Sequence, residues 1–334
     1  ATQPGAFLEC CHRPMTSGSS AGRPNLAPVE GELVGGRFLL CSRVSRAGFG
    51  VLWLGVDQRD RWKNVYINTE LKPSTDIASF AAHLEQCQAL QHPHIEQVHA
   101  VIQMPTSVAI VRERVEAWSL EAWLREEGKT SVDHALAVMR SVLDALSFAH
   151  ARGVVHGDIK PTNILICKDS GAVKLIDFGL SMLHSRGPTA VSSAAVCDTM
   201  SHTPPEVLAG STPDAASDVW AASVVLYRCV TGRALFDGHC LRGLVTQILM
   251  YSGPDMPATL PPPLSDVLRR SLHVESSQRF PTAAALLDAI AALAPPAPTP
   301  PPTTSPTTTS PAAPPPPTAS PATTHPPTTS PAAP

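Results

Sequence analysis

Nine consecutive residues, Val155-His156-Gly157-Asp158-Ile159-Lys160-Pro161-Thr162-Asn163, limit what this chain can be more than any other stretch. They place a carboxylate, an ammonium and a carboxamide within one short loop. Asp177-Phe178-Gly179 follows nineteen residues after Asp158 (177 − 158 = 19). Such a set suits transfer of a phosphoryl group, which is mostly positioning and charge neutralisation. Asp158 is placed to orient an attacking hydroxyl, and Lys160 to meet the transferring phosphoryl. Asn163 and Asp177 supply oxygen ligands for Mg2+. Chance occurrence in an unrelated helical protein is the bland alternative, and the joint spacing of four residues argues against it.

This run and its spacing resemble the eukaryotic-type protein kinases, and the Lys-Pro-x-Asn form resembles their Ser/Thr branch. The likeness continues downstream. Thr203-Pro204-Pro205-Glu206 resembles the family's Ala-Pro-Glu, with Pro204 in place of Ala. Thr199 matches the Thr that touches the catalytic Asp and Lys, and Asp218-Val219-Trp220 matches the start of the central helix. Arg279 matches the Arg that pairs with Glu206, a structural pair rather than a catalytic one. The resemblance covers about residues 37–293. It implies an α+β fold of two lobes, a small β-rich one at about 31–117 and a larger helical one at about 118–293. It also implies ATP and Mg2+ as cofactors, and a protein substrate or regulated partner. One departure is Gly157, where the family usually has an Arg whose charge loop phosphorylation neutralises.

Upstream the departures are heavier. The Gly-rich loop of the family is matched by Ser45-Arg46-Ala47-Gly48-Phe49-Gly50, in which Ser45 and Ala47 replace two of three glycines. Both are small, so Ser45, Ala47 and Gly50 remain candidates for the approach to phosphate. The strand that normally ends in Lys reads Val65-Tyr66-Ile67-Asn68, so Asn68 stands where a cation grips the phosphates. Lys72 is the nearest replacement, four residues on and about 13 Å along a strand. The partner Glu on the next helix falls on His83, and Glu85 lies some 200° around that helix. Both members of the Lys–Glu pair thus read as lost together. Arg112, at the gatekeeper position, has three readings. It reaches the phosphates in place of the Lys, it plugs the adenine pocket, or it snorkels to solvent or stands one position out of the family's register.

Segment patterns agree with a β-rich first lobe and a helical second. Arg37–Val44, Val51–Asp57, Asn64–Thr69, Val98–Gln103 and Ser107–Arg112 read as strands. Ala78–Leu90, Ser119–Glu127, Ser131–Ala151, Asp218–Thr231, Leu241–Met250, Pro263–Ser271 and Thr282–Leu293 read as helices, with Ser131 and Asp133 as candidate caps. Residues 1–30 read as a flexible lead-in. Residues 294–334 are nearly all Pro, Thr, Ser and Ala, too poor in apolar bulk to offset the entropy of ordering. That tail is expected to be a disordered spacer or a ligand for Pro-recognising modules.

The net charge of −3 gives no footprint for nucleic acid. No apolar run reaches the roughly 18 residues that span a bilayer. Eight cysteines without a CxxC spacing read as free thiols, which suits an intracellular, cytoplasmic setting. Two functional readings follow. One is a Ser/Thr kinase transferring the ATP γ-phosphate to protein hydroxyls. The other is a pseudokinase acting as a scaffold or allosteric binding module.

Overall fold

The computed structural model describes residues 28–47, 50–60, 63–71, 76–183, 193–237 and 240–293. The lead-in through residue 27, Gly48, Phe49, Lys72 and the tail from residue 294 lie outside them. The first lobe is a six-stranded antiparallel sheet, built from β1 (Leu33–Val34), β2 (Phe38–Ala47), β3 (Gly50–Asp57), β4 (Lys63–Leu71), β5 (Val98–Met104) and β6 (Ser107–Glu113). Its strand order is β1-β2-β3-β4-β6-β5. Alternation of β-branched and apolar residues sets one face inward. Phe38, Leu40, Val51, Trp53, Val65, Ile67 and Val111 form a buried cluster there. The Trp53 indole N–H is satisfied by the buried Thr69 hydroxyl at 3.0 Å. Helix α1 (Ile77–Gln88) is capped by Asp76, whose carboxylate accepts from Ser79 N. It buries Phe80, Ala81 and Leu84 against Val98, Val108 and Ile110.

The strands run longer than their hydrophobic pattern indicates. Strand β2 continues through Ser45 to Ala47, because the hairpin register pairs Ser45 with Leu52 and Ala47 with Gly50. Gly50 is needed at its position. Its φ is 146°, and a Cβ there would sit 2.3 Å from the Thr69 carbonyl oxygen.

The second lobe begins at β7 (Ala117–Ser119), which pairs with β8 (Ile164–Cys167) and through it with β9 (Val173–Leu175). Helices α2 (Leu120–Glu127) and α3 (Val132–His150) follow β7. Ser131 caps α3 through His134 N; Asp133 lies in the first turn. Helix α3 buries Ala135, Leu136, Met139, Val142, Leu143 and Leu146, a three-to-four spacing that fills one face. After β9 come α4 (Ser193–Met200), α5 (Pro205–Leu208), α6 (Ala215–Thr231), α7 (Leu241–Leu249), α8 (Pro262–Ser271) and α9 (Ala283–Ala291). Helix α6 is buried along nearly its whole length and forms the centre of the lobe. It starts three residues before the expected Asp218, because Asp214 and Ser217 form a reciprocal capping box. Helix α4 carries no strong sequence signal and was not expected.

Candidate active site

The catalytic loop lies between α3 and β8, and buried groups hold it from beneath. Asp218, at the first turn of α6, is 1% exposed. Its carboxylate accepts from the backbone N–H groups of His156 (2.9 Å) and Gly157 (2.8 Å). The His150 ring meets the same carboxylate at 2.8 Å. His156 is fully buried. Its Nδ1 accepts from Asp158 N at 3.2 Å, which leaves Nε2 to donate to the Ile176 carbonyl at 2.9 Å. The imidazole thus ties the loop to the strand end that presents Asp177. Gly157 has a φ of 72°, a conformation that costs glycine little. The usual Arg is therefore replaced by a residue suited to the local backbone.

Above this base the charged side chains close on one another. Lys160 Nζ meets Asp158 Oδ2 at 2.9 Å and donates to Thr199 Oγ1 at 2.8 Å. Asn163 Nδ2 donates to the Asp158 carbonyl (2.8 Å) and carboxylate (3.1 Å). A 3-10 turn over Pro161–Asn163 aims that amide back at the loop. The four residues Asp158, Lys160, Asn163 and Thr199 are thus brought into one bonded group. Asp177 stands beside them, joined through Ile176 N, which donates to the Asn163 carbonyl at 3.0 Å. Asp177 is the one non-glycine residue with positive φ among the described residues, at 68°. Strain of this kind is tolerated where function needs a side chain aimed. Arg279 and Glu206 form their expected bidentate pair at 2.7 and 2.8 Å, with Arg279 buried beneath.

The upper half is arranged differently. Ser45, Leu52, Asn68 and Ile110 form one row across β2, β3, β4 and β6. Tyr66 and Arg112 face each other in the parallel row two residues along. Cross-strand partners, and residues two apart, share a face of the sheet. Asn68 and Arg112 are therefore on one face. The Asn68 side-chain oxygen is buried without a hydrogen-bond partner among the described residues.

Arg112 is 7% exposed, so the solvent-snorkelling reading is overturned. Its Nη1 donates to Glu96 Oε2 at 2.9 Å and to Asp177 Oδ1 at 2.5 Å. Burial opposes the guanidinium's charge, but the two carboxylates outweigh it and hold the side chain charged. Glu96 is equally buried. Burial pushes its carboxyl up to about 7, against the pull of Arg112.

Glu96 was missed by sequence reasoning. It sits just before β5, with its backbone N–H on the Leu175 carbonyl at 2.9 Å. The available signal was slight: Arg112 closes the apolar run Val108–Val111, while Glu96 lies in a mixed stretch between Ile95 and Gln97. On α1, Glu85 is exposed. His83 instead faces the Asp177-Phe178-Gly179 turn, where a Cβ on Gly179 would lie 3.3 Å from its ring. The helix contributes no carboxylate at this spot, yet a buried cation–carboxylate pair is present. The strand Lys and the helix Glu of the family are both missing at these positions, and Arg112 and Glu96 form a separate buried cation–carboxylate pair from different elements.

The donor set fits a hard divalent cation. Asn163 commits its amide nitrogen to Asp158, leaving the oxygen as its donor atom, and Asp177 offers a carboxylate. Oxygen ligands of this type suit Mg2+.

The family model described as "Protein kinase domain" matches residues 59–289. The hairpin bearing Ser45, Ala47 and Gly50 precedes that match. The chain is 30% identical over 276 residues to the serine/threonine-protein kinase PknA of Mycobacterium tuberculosis, covering 80% of this chain and 64% of that protein. It is 28% identical over 286 residues to the serine/threonine-protein kinase Pkn1 of Myxococcus xanthus, covering 80% of this chain and 40% of the relative. Sperm motility kinase 2B of Mus musculus is 37% identical over 167 residues, half of this chain and 34% of the relative. This chain therefore spans less than two thirds of the length of these curated relatives. Protein kinases as a family use ATP and Mg2+ and act on proteins. No helix among the described residues is long and apolar enough to cross a membrane. With its catalytic loop, its Asp177 turn and the Arg279–Glu206 pair in place, this chain belongs to the Ser/Thr protein kinase family.

Proposed function

We propose that this domain transfers the γ-phosphate of ATP to Ser and Thr hydroxyls of proteins. The observation that carries the reading is the bonded group of Asp158, Lys160, Asn163 and Thr199 beside Asp177. Asp158 receives the hydrogen bond of the substrate hydroxyl and takes its proton as the oxygen–phosphorus bond forms and the bond to the leaving oxygen of ADP breaks. Lys160, steadied by Thr199, neutralises charge on the transferring group. Asn163 and Asp177 would hold Mg2+, which supplies charge neutralisation at the phosphates. Ser45, Ala47 and Gly50, on the hairpin of β2 and β3, would approach the phosphates.

The second reading, a binding module without transfer, draws on the upstream departures: the missing cation at Asn68, the missing helix carboxylate at His83, and Ser45 and Ala47 in place of glycines. Incubation with γ-labelled ATP, Mg2+ and a generic protein substrate separates the two. Wild type labels Ser or Thr, and Asp158→Asn labels at least about 100-fold more slowly, the loss of a general base. Equal labelling by both would remove Asp158 from the reaction, and no labelling by wild type would favour the binding module. The Pro-rich tail as a ligand for Pro-recognising modules, and a cytoplasmic setting, remain proposals from composition alone.

A further inference from the structure

We propose that Arg112 is the residue that contacts the nucleotide phosphates, with Glu96 as its positioning residue, in place of the cation absent at Asn68. The inference rests on the kinase reading and extends it to the anchoring half. Three observations converge. First, Arg112 is buried and its Nη1 already lies on Asp177, the carboxylate next to which the phosphates must be held. Second, Arg112 Nε is a buried donor without an acceptor among the described residues, and Asn68 Oδ1 is a buried oxygen without a donor. Native interiors rarely leave such groups unsatisfied. An anion beside the guanidinium satisfies the first of them, and an arginine fork is matched to phosphate oxygens. Third, Glu96 is fastened to the second lobe. Its N–H donates to Leu175, and Ile95 forms a parallel bridge to the same residue. The carboxylate that fixes the guanidinium therefore belongs to the framework that carries Asp177.

Nη1 donates to both Glu96 and Asp177. When Asp177 is engaged elsewhere, Glu96 keeps the guanidinium in place and Nε–H, without an acceptor among the described residues, is left for the phosphates. The competing arrangement, a side chain that plugs the adenine site, predicts the opposite response to its removal.

The test compares ATP with adenosine, which has the same base and sugar but no phosphate. Affinities of both are measured by calorimetric titration and melting shift on the full chain. Because Arg112→Met alone leaves Glu96 unpaired, the double variant Glu96→Gln/Arg112→Met is the primary probe. Its ligand-free melting temperature reports folding. The proposal expects ATP affinity to fall tenfold or more, as for a lost charge-assisted contact, with adenosine affinity unchanged. Adding Asn68→Lys should recover ATP affinity. Glu96→Gln alone should weaken ATP by a smaller factor and leave adenosine alone, a split that a purely structural role would not produce.

Unchanged ATP affinity in the double variant overturns the proposal while the kinase reading stands. Tighter adenosine binding there overturns it in favour of a plug. If neither wild type nor any variant binds ATP, both readings fall.

Discussion

The two halves of the cleft handle charge in opposite ways. Around the catalytic loop, Lys160 meets one carboxylate, and that carboxylate also accepts from Asn163. The loop beneath is pinned separately by Asp218 and His156. Removing any one member leaves others in place. In the upper half a single nitrogen, Arg112 Nη1, serves both Glu96 and Asp177. A distributed arrangement tolerates loss; a concentrated one has one point of failure. The same folded domain thus has a half whose stability and chemistry are separable and a half in which they are bound together.

The largest effect expected from this contrast is on stability without ligand. Arg112→Met strands the buried Glu96 carboxylate and removes a partner of the half-buried Asp177, and breaking a buried pair from one side costs about 3–5 kcal/mol. Chemical denaturation should show that loss, and Glu96→Gln added to it should restore much of the difference. A loss under about 1 kcal/mol would mean that water, rather than Arg112, satisfies the carboxylates.

Lys160→Met should be milder. Asp158 keeps its bond from Asn163, so the loss should be about 1–2 kcal/mol for the ion pair to Asp158 and the bond to Thr199 together, although phosphoryl transfer disappears. A loss as large as that for Arg112→Met would erase the distinction between the halves.

The smallest effect concerns a pair where β2 begins and β3 ends. Arg37 donates to Asp57 at 2.8 and 2.6 Å and, through those bonds, holds the Asp57 carboxyl below its ordinary value of 3.8. A lowered folded value gives stability that is present above 3.8 and lost as pH falls through the folded value. Asp57→Asn should therefore melt below wild type near neutral pH, and the gap should close as pH falls under about 3.8. A gap that stays constant with pH would assign the difference to something other than this ion pair.

What could be read in the sequence follows the same division. The catalytic loop was legible because its residues act within five positions of one another, and because Asp158, Lys160 and Asn163 are bonded by the local turn that their spacing implies. The Arg279–Glu206 pair was legible through resemblance, across 73 positions. Glu96 was not, since its role depends on β6 lying beside β5 and on a backbone bond to Leu175 that no periodicity announces. The snorkelling alternative for Arg112 survived for the same reason: burial of a lone Arg cannot be inferred until its carboxylates are placed. Helix boundaries moved where caps, not hydrophobic pattern, set them, as Asp214 does for α6.

On the proposed reading, the lower half works on a magnesium-bound nucleotide through Asp177. The most direct measurement is the melting shift produced by ATP with and without Mg2+, in wild type and in Asp177→Asn. Wild type should be stabilised by ATP far more when Mg2+ is present, and Asp177→Asn should lose that magnesium-dependent increment. An ATP shift that is indifferent to Mg2+ in wild type, or equal in the two proteins with Mg2+, would contradict the claim.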